Sequence, residues 1–159
     1  MNDAIELIPV EGGSDLEEIR ALFLEYAQSL DFDLCFQSFD QELLDLPGKY
    51  APPHGRLFLC RVHGAAAGCI ALKPLKDRVC EMKRLFVRPE FRGREIALKL
   101  STKIIDEARL IGYSAMRLDT IAGKMAPAIA LYRKLGFREI QPYYDNPIAN
   151  AAYFELRLD

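Results

Sequence analysis

The chain has no clustered metal ligands and no cysteine framework. Its four cysteines, Cys35, Cys60, Cys69 and Cys80, nowhere form a CxxC pair, and its two histidines, His54 and His63, do not cluster with them. That spacing argues against a zinc site and against a disulfide scaffold. Cys60, Cys69 and Cys80 sit in apolar, strand-like runs, where a free thiol behaves as a small hydrophobe. His63 falls in a hairpin turn and reads as solvated. His54 lies in the proline-rich PPHG loop, a surface position with substrate contact as the alternative. The N-terminal MNDAIELIPVEGG lacks a basic segment followed by an apolar core, so no signal peptide is read there. No apolar run reaches the length of a bilayer. A formal net charge of −2 gives no overall pull toward nucleic acid. The expectation is a cytoplasmic protein with neither nucleic acid nor membrane as partner. No GxGxxG follows a strand and no GxxxxGK[ST] occurs, which excludes the dinucleotide and P-loop readings.

What is present is an ordinary globular composition. The 159 residues, half of them hydrophobic and 28% charged, suit one domain spanning 1–159 with a core of its own. Ala4 to Val10 reads as a strand closed by Gly12-Gly13. Ser14 with Glu17 has capping-box spacing before a helix that aligns Leu16, Ile19, Leu22, Phe23 and Tyr26. A second helix is expected over Gln37 to Leu46, and a proline-rich loop over Gly48 to Gly55. Arg56 to Val62 and Ala66 to Leu72 read as a hairpin about His63-Gly64, and Pro74 to Arg78 turns into a strand over Val79 to Val87. A helix over Glu95 to Ile111 stops at Gly112. Met116 to Leu118 forms the heart of a buried strand, with Asp119 and Thr120 after it. Met125 to Leu135 is a helix ended by Gly136. Phe137 to Gln141 and Tyr153 to Leu158 are strands, joined through Tyr143-Tyr144-Asp145-Asn146-Pro147. The order β-α-α-β-β-β-α-β-α-β-β is mixed α/β, with no internal repeat and no regular βα alternation.

The segment Cys80 to Leu100, CEMKRLFVRPEFRGREIALKL, carries the chemistry. A strand ends in an Arg-Pro turn, a loop with arginine and glycine follows, and an amphipathic helix begins. That order aims backbone N–H groups at a helix mouth, where a phosphate can sit. Lys83, Arg84, Arg88, Arg92, Arg94, Lys99 and Lys103 stand against Glu90 and Glu95. On a mildly acidic protein this local excess fits a small polyanion; a solvated helix face plus a turn is the other reading.

Arg92-Gly93-Arg94-Glu95-Ile96-Ala97 resembles the pyrophosphate-binding loop of the GNAT superfamily of N-acetyltransferases. Ala130-Leu131-Tyr132-Arg133-Lys134-Leu135-Gly136-Phe137, about 40 residues on, is similar to that family's A-x-x-L-Y-x-x-x-G-F helix. With the element order, the resemblance covers nearly the whole chain, and the half before about Gly55 is the family's variable, substrate-side region. It implies an acyl-CoA N-acyltransferase fold: a central mixed, mostly antiparallel twisted sheet flanked by helices. It implies acetyl-CoA as the acyl donor, without a metal. The pantetheine would bond to backbone groups of Leu85, Phe86 and Val87 and the pyrophosphate to N–H groups from Arg92 through Gly93, Arg94, Glu95 and Ile96 to Ala97, with charge-assisted contacts from Arg92 and Arg94.

Glu95 departs from the pattern, standing where the family usually has glycine. A carboxylate in the first turn of a helix is favoured by about 0.3–1 kcal/mol, yet it opposes a pyrophosphate. A positive φ there would add about 1–2 kcal/mol of strain. Alternatively, Glu95 points into solvent at little cost.

By the same resemblance Tyr132 matches the tyrosine that protonates the departing thiolate; a core tyrosine is the alternative. Glu81 is the candidate general base, acting directly or through water, and an ion pair is its alternative. It shares one strand face with Lys83 and Leu85 if no bulge intervenes. Asp119 is a second candidate base, or a residue that orients a neighbour. Tyr144 and Asp145 fall in a loop that often borders the acceptor site. The expected activity is acetyl transfer to a primary amine of a small molecule or peptide, by direct attack in a ternary complex. A CoA-binding regulator or weak homologue is the alternative, and a different acyl donor a third. Asp31, Asp33, Asp40 and Glu42 would suit a cationic acceptor, or solvate a helix and loop. Dimers are common in the family, so a homodimer is among the expectations.

Overall fold

A computed structural model of the chain describes residues 4–30, 34, 38–121, 126–148 and 150–159. Among the described residues seven strands form one sheet: β1 (Ile5–Pro9), β2 (Arg56–Val62), β3 (Ala65–Pro74), β4 (Val79–Val87), β5 (Ala115–Ile121), β6 (Arg138–Ile140) and β7 (Ala151–Arg157). Their spatial order is β1-β2-β3-β4-β5-β7-β6. Every neighbouring pair is antiparallel except β4 and β5, which run parallel. Helices α1 (Gly13–Gln28) and α2 (Phe39–Asp45) cover one face; α3 (Ile96–Ile111) and α4 (Ala126–Lys134) cover the other. The expected fold class and element order are therefore those of the structure.

Coverage on both faces explains why the central strands read as unbroken apolar runs. Along β2, Phe58, Cys60 and Val62 face α3, while Leu57 and Leu59 face α1 and α2. The period of two is thus hidden in LFLC, because both sides are core. Ile96, Leu100, Ile104 and Ala108 give α3 its buried stripe, and Ile19, Leu22 and Phe23 give one to α1. Burying each large aliphatic side chain contributes about 1.5–3 kcal/mol. Cys60, Cys69 and Cys80 are buried free thiols, and burial pushes their ionisation upward, to about 11 for Cys60 and about 12 for Cys80. Cys35 lies outside the described residues.

Several boundaries differ from the sequence expectation for local reasons. Gly12 is the N-cap of α1 and no side chain caps it, so Ser14 is already helical and forms no capping box with Glu17. α2 begins only at Phe39, after Ser38 in a left-handed conformation, and Leu46 is extended because Pro47 follows it. Gln37 and Met125, expected to open α2 and α4, lie outside the described residues. Gly136 ends α4 as expected: its φ is +103°, and the N–H of Phe137 donates to the Tyr132 carbonyl at 3.0 Å.

The main departure lies within β4. Between Cys69↔Phe86 and Ala71↔Lys83 the register slips, leaving one extra residue on β4. Arg84 takes φ +61° at that bulge. Glu81 and Lys83 therefore share the α1/α2 side with Arg84 and Phe86, whereas Leu85 packs with the α3 cluster. The expected common face of Glu81, Lys83 and Leu85 is broken by the bulge. Among the described residues no helix is long and apolar enough to cross a membrane.

Candidate active site

β4 and β5 pair at only three positions, Val79↔Ala115, Cys80↔Met116 and Glu81↔Arg117. Beyond Glu81 the two parallel strands part. A bulged strand cannot keep a straight ladder, and Gly68 on β3 lets the bent strand approach: a Cβ there would meet the Phe86 carbonyl oxygen at 2.6 Å. The gap is a cavity of about 390 Å³. Leu85, Phe86 and Val87 form one wall and Leu118, Asp119 and Thr120 the other, with Tyr132 of α4 between them.

The mouth is the loop before α3. Phe91 N–H donates to the Arg88 carbonyl and Arg92 N–H to that of Pro89, so a short 3₁₀ turn already engages the Arg92 amide. That amide, expected from the sequence to meet the pyrophosphate, is thus engaged within the turn. The first intrahelical bond of α3 runs from Lys99 N–H to the Glu95 carbonyl, 3.0 Å. The N–H groups of Ile96, Ala97 and Leu98 therefore lack acceptors within the helix and sit at its positive end. Arg92, Gly93, Glu95, Ile96 and Ala97 line the cavity. Arg94 does not; its guanidinium stacks over the Phe91 ring at 5.6 Å. The Arg92 Nε reaches back to the Val87 carbonyl, 3.3 Å.

Glu95 satisfies both descriptions offered for it. Its backbone is left-handed, φ +60° and ψ +24°, and its side chain is exposed and caps nothing. Glycine would relieve the strain and remove a like charge from the mouth of an anion site. Glu95→Gly is expected to lower the CoA dissociation constant about threefold, which corresponds to about 0.6 kcal/mol; titration calorimetry with CoA checks this, and an unchanged or higher value rejects it.

Tyr132 is 7% exposed, and its ring lies 5.7 Å from that of Phe137. Burial pushes its phenol well above 10, with Tyr26 and Asp119 adding to the shift, so the proton is held at every ordinary pH. Asp119 accepts hydrogen bonds from the Tyr144 hydroxyl and from Asn146 Nδ2 at 3.3 Å, bracing the 143–147 loop. Tyr143, Tyr144 and Tyr153 pack edge to face about that brace, at centroid distances of 5.3–5.6 Å. Asp145 is exposed and does not line this cavity.

A second cavity, about 560 Å³, opens on the α2 side of β4. Its floor holds Glu81, 3% exposed, whose Oε2 accepts the Tyr143 hydroxyl at 2.6 Å. Oε1 of Glu81 lies 3.5 Å from Lys73 Nζ and 3.9 Å from Lys83 Nζ. Burial is the main reason Lys83 is lowered to about 8, with Arg84 next and Glu81 opposing. Arg84 itself bonds Glu42 through Nε and Nη2, at 2.9 and 3.0 Å. His54 and His63 are exposed and border neither cavity.

Of the acidic set expected to favour a cationic acceptor, the two described members are not brought together as free carboxylates. Glu42 is neutralised by Arg84, Asp40 is exposed, and Asp31 and Asp33 lie outside the described residues. Sequence reasoning also missed Lys73. Its signal was the β3–β4 hairpin, whose register sets Lys73 opposite Glu81. Among the described residues no group of three or more His, Cys, Asp or Glu could hold a metal ion.

Known proteins resemble the chain over nearly its whole length. A profile of the acetyltransferase (GNAT) family matches residues 16–137. An uncharacterized N-acetyltransferase of Schizosaccharomyces pombe is 42% identical over 156 residues, covering 97% of this chain and 95% of its own. Among solved structures, a GNAT-family acetyltransferase of Staphylococcus aureus superposes with a TM-score of 0.81 at 24% identity, covering 98% of this chain and all of its own. A Salmonella typhimurium protein named as an acetyltransferase, solved with its cofactor acetyl-CoA, has a TM-score of 0.71 at 18% identity, over 98% and 95% of the two chains.

Proposed function

The chain belongs to the acetyltransferase (GNAT) family and is an N-acetyltransferase by class, and from that premise we propose that it moves the acetyl group of acetyl-CoA to a primary amine of a small molecule or peptide by direct attack in a ternary complex. One observation carries this reading: the parting of β4 from β5 brings the first residues of α3, the strand segment Leu85 to Val87 and Tyr132 to one cavity. The donors for a pyrophosphate are the amides from Gly93 to Ala97, with the Arg92 side chain adding charge.

Three proton movements complete the chemistry. An ammonium acceptor must give up a proton before its lone pair can attack the thioester carbonyl. Glu81, buried and held by Tyr143, Lys73 and Lys83, takes it directly or through a water. As the C–S bond breaks, the Tyr132 hydroxyl donates to the departing thiolate, and the second proton that the nitrogen sheds on becoming an amide restores the phenol, directly or through a water. Its raised pKa keeps that donor loaded.

The test is thiol release from acetyl-CoA, with and without an amine panel of amino acids, polyamines, aminoglycosides and N-terminal peptides. Acceptor-dependent release is the expected result. Binding of CoA with no release from any acceptor would instead fit a CoA-binding regulator, to which the strained, charged Glu95 lends its one specific argument.

A further inference from the structure

Glu81 ends the β4–β5 ladder, opposite Arg117, and its two oxygens have different surroundings. Oε2 accepts the Tyr143 hydroxyl at 2.6 Å. Oε1 stands 3.5 Å from Lys73 Nζ and 3.9 Å from Lys83 Nζ, ion-pair separations longer than an ordinary hydrogen bond. At those distances the lysines supply charge rather than direction, whereas the phenol fixes one oxygen in one place. Tyr143 is itself held on several sides. The Arg117 guanidinium lies over its ring at 5.3 Å and is anchored by Glu155 at 2.8 Å. The rings of Tyr144 and Tyr153 pack edge to face against it, with centroids 5.5 and 5.3 Å away. Tyr144 in turn donates to Asp119 on β5. Two adjacent tyrosines of one loop thus tie a carboxylate on each of the two strands that part at the cleft. Burial, and after it the Glu81 charge, push the Tyr143 phenol far above its ordinary value, so it remains a donor at every ordinary pH.

Resting on the reading of Glu81 as the base of an acetyl transfer, we propose that Tyr143 is a positioning residue: by occupying Oε2 it holds Glu81 in one orientation and makes Oε1 the atom that takes the ammonium proton. The proton passes from the acceptor nitrogen to Oε1, directly or through a water, and the Tyr143 proton stays on its phenol. Tyr143 takes no part in the bond changes. Its contribution is directional, because a carboxylate free to turn about its last bond spends part of its time with no lone pair aimed at the amine.

Thiol release from acetyl-CoA is measured for the wild type, Tyr143→Phe, Glu81→Gln and the double variant. The acceptor is the best member of the amino acid, polyamine, aminoglycoside and peptide panel. Tyr143→Phe keeps the ring and is expected to lower kcat about tenfold, with KM for acetyl-CoA and for the acceptor changed by less than about twofold. In Glu81→Gln no base remains to be oriented, so adding Tyr143→Phe should change kcat by less than about twofold. Unchanged kcat in Tyr143→Phe overturns the proposal and leaves acetyl transfer intact. So does a raised acceptor KM at unchanged kcat, because the hydroxyl then contacts the acceptor instead of the base. A loss that persists in the Glu81→Gln background also overturns it, since the phenol then serves packing alone. Full kcat in Glu81→Gln removes the base assignment and this proposal together. No release by the wild type with any panel member overturns the acetyltransferase reading as well.

Discussion

Tyr132→Phe is expected to lower kcat about a hundredfold while the dissociation constant for CoA changes by less than twofold. The magnitude is that of one positioned proton donor. The substitution removes only the hydroxyl, so the ring keeps its place beside Phe137 and the cavity wall stays intact. Loss of a thiolate donor weakens the transition state alone, which is why binding should not follow turnover. A second readout separates chemistry from packing. An acyl donor whose leaving thiol has a low pKa needs no protonation, so the variant should recover most of its rate with such a donor. A merely structural tyrosine would show no recovery. Full kcat with acetyl-CoA removes Tyr132 from the mechanism.

Glu42→Ala is expected to lower the melting temperature by about 6–12 °C. The Arg84 side chain is 2% exposed, and its guanidinium lies over the rings of Phe39 and Tyr26, at 5.2 and 5.8 Å. Glu42 answers it with both oxygens. Removing one partner of such a pair leaves a buried charge uncompensated, at a cost of about 3 kcal/mol. For a chain of this size about 2–4 °C accompanies each kcal/mol. The double variant Glu42→Leu with Arg84→Met should regain much of the loss, since apolar side chains of similar volume need no counter-charge. A single variant within 2 °C of wild type in calorimetry would mean that water reaches Arg84 and the pair stabilises little. The consequence reaches the site, because Arg84 is the bulge residue and Glu42 borders the second cavity. α2 is tied to the strand that the proposed acceptor would touch.

Much of this molecule is legible in the primary structure, for identifiable reasons. The glycines at the ends of α3 and α4 announce left-handed caps, and Gly112 and Gly136 adopt them. The doubly buried run of β2 is visible as LFLC, and the Arg-Pro turn and RGREIA loop stand where β4 yields to α3. Features that depend on contacts between distant segments were hidden. Ser14 has the composition of a cap but begins inside the helix, and nothing local distinguishes those two places. The Arg84 bulge follows from how β3 and β4 meet across Gly68, so the face shared by Glu81 could not be read by counting along the strand. Glu42 looks like a solvated helix acid until α2 is laid against Arg84.

By itself, the sequence determined the order of elements, the family likeness and the residues of the anion loop. Those depend on local backbone preference and apolar patterning, both of which act over a few neighbouring positions. Only the tertiary structure decided what those residues face. The parting of the two parallel strands, the strained exposure of Glu95, and the joining of Lys73, Glu81, Lys83 and Tyr143 on one cavity floor arise from β-register and from loops that return across the sheet. Charges separated by dozens of residues become neighbours there, and burial makes their pairing decisive.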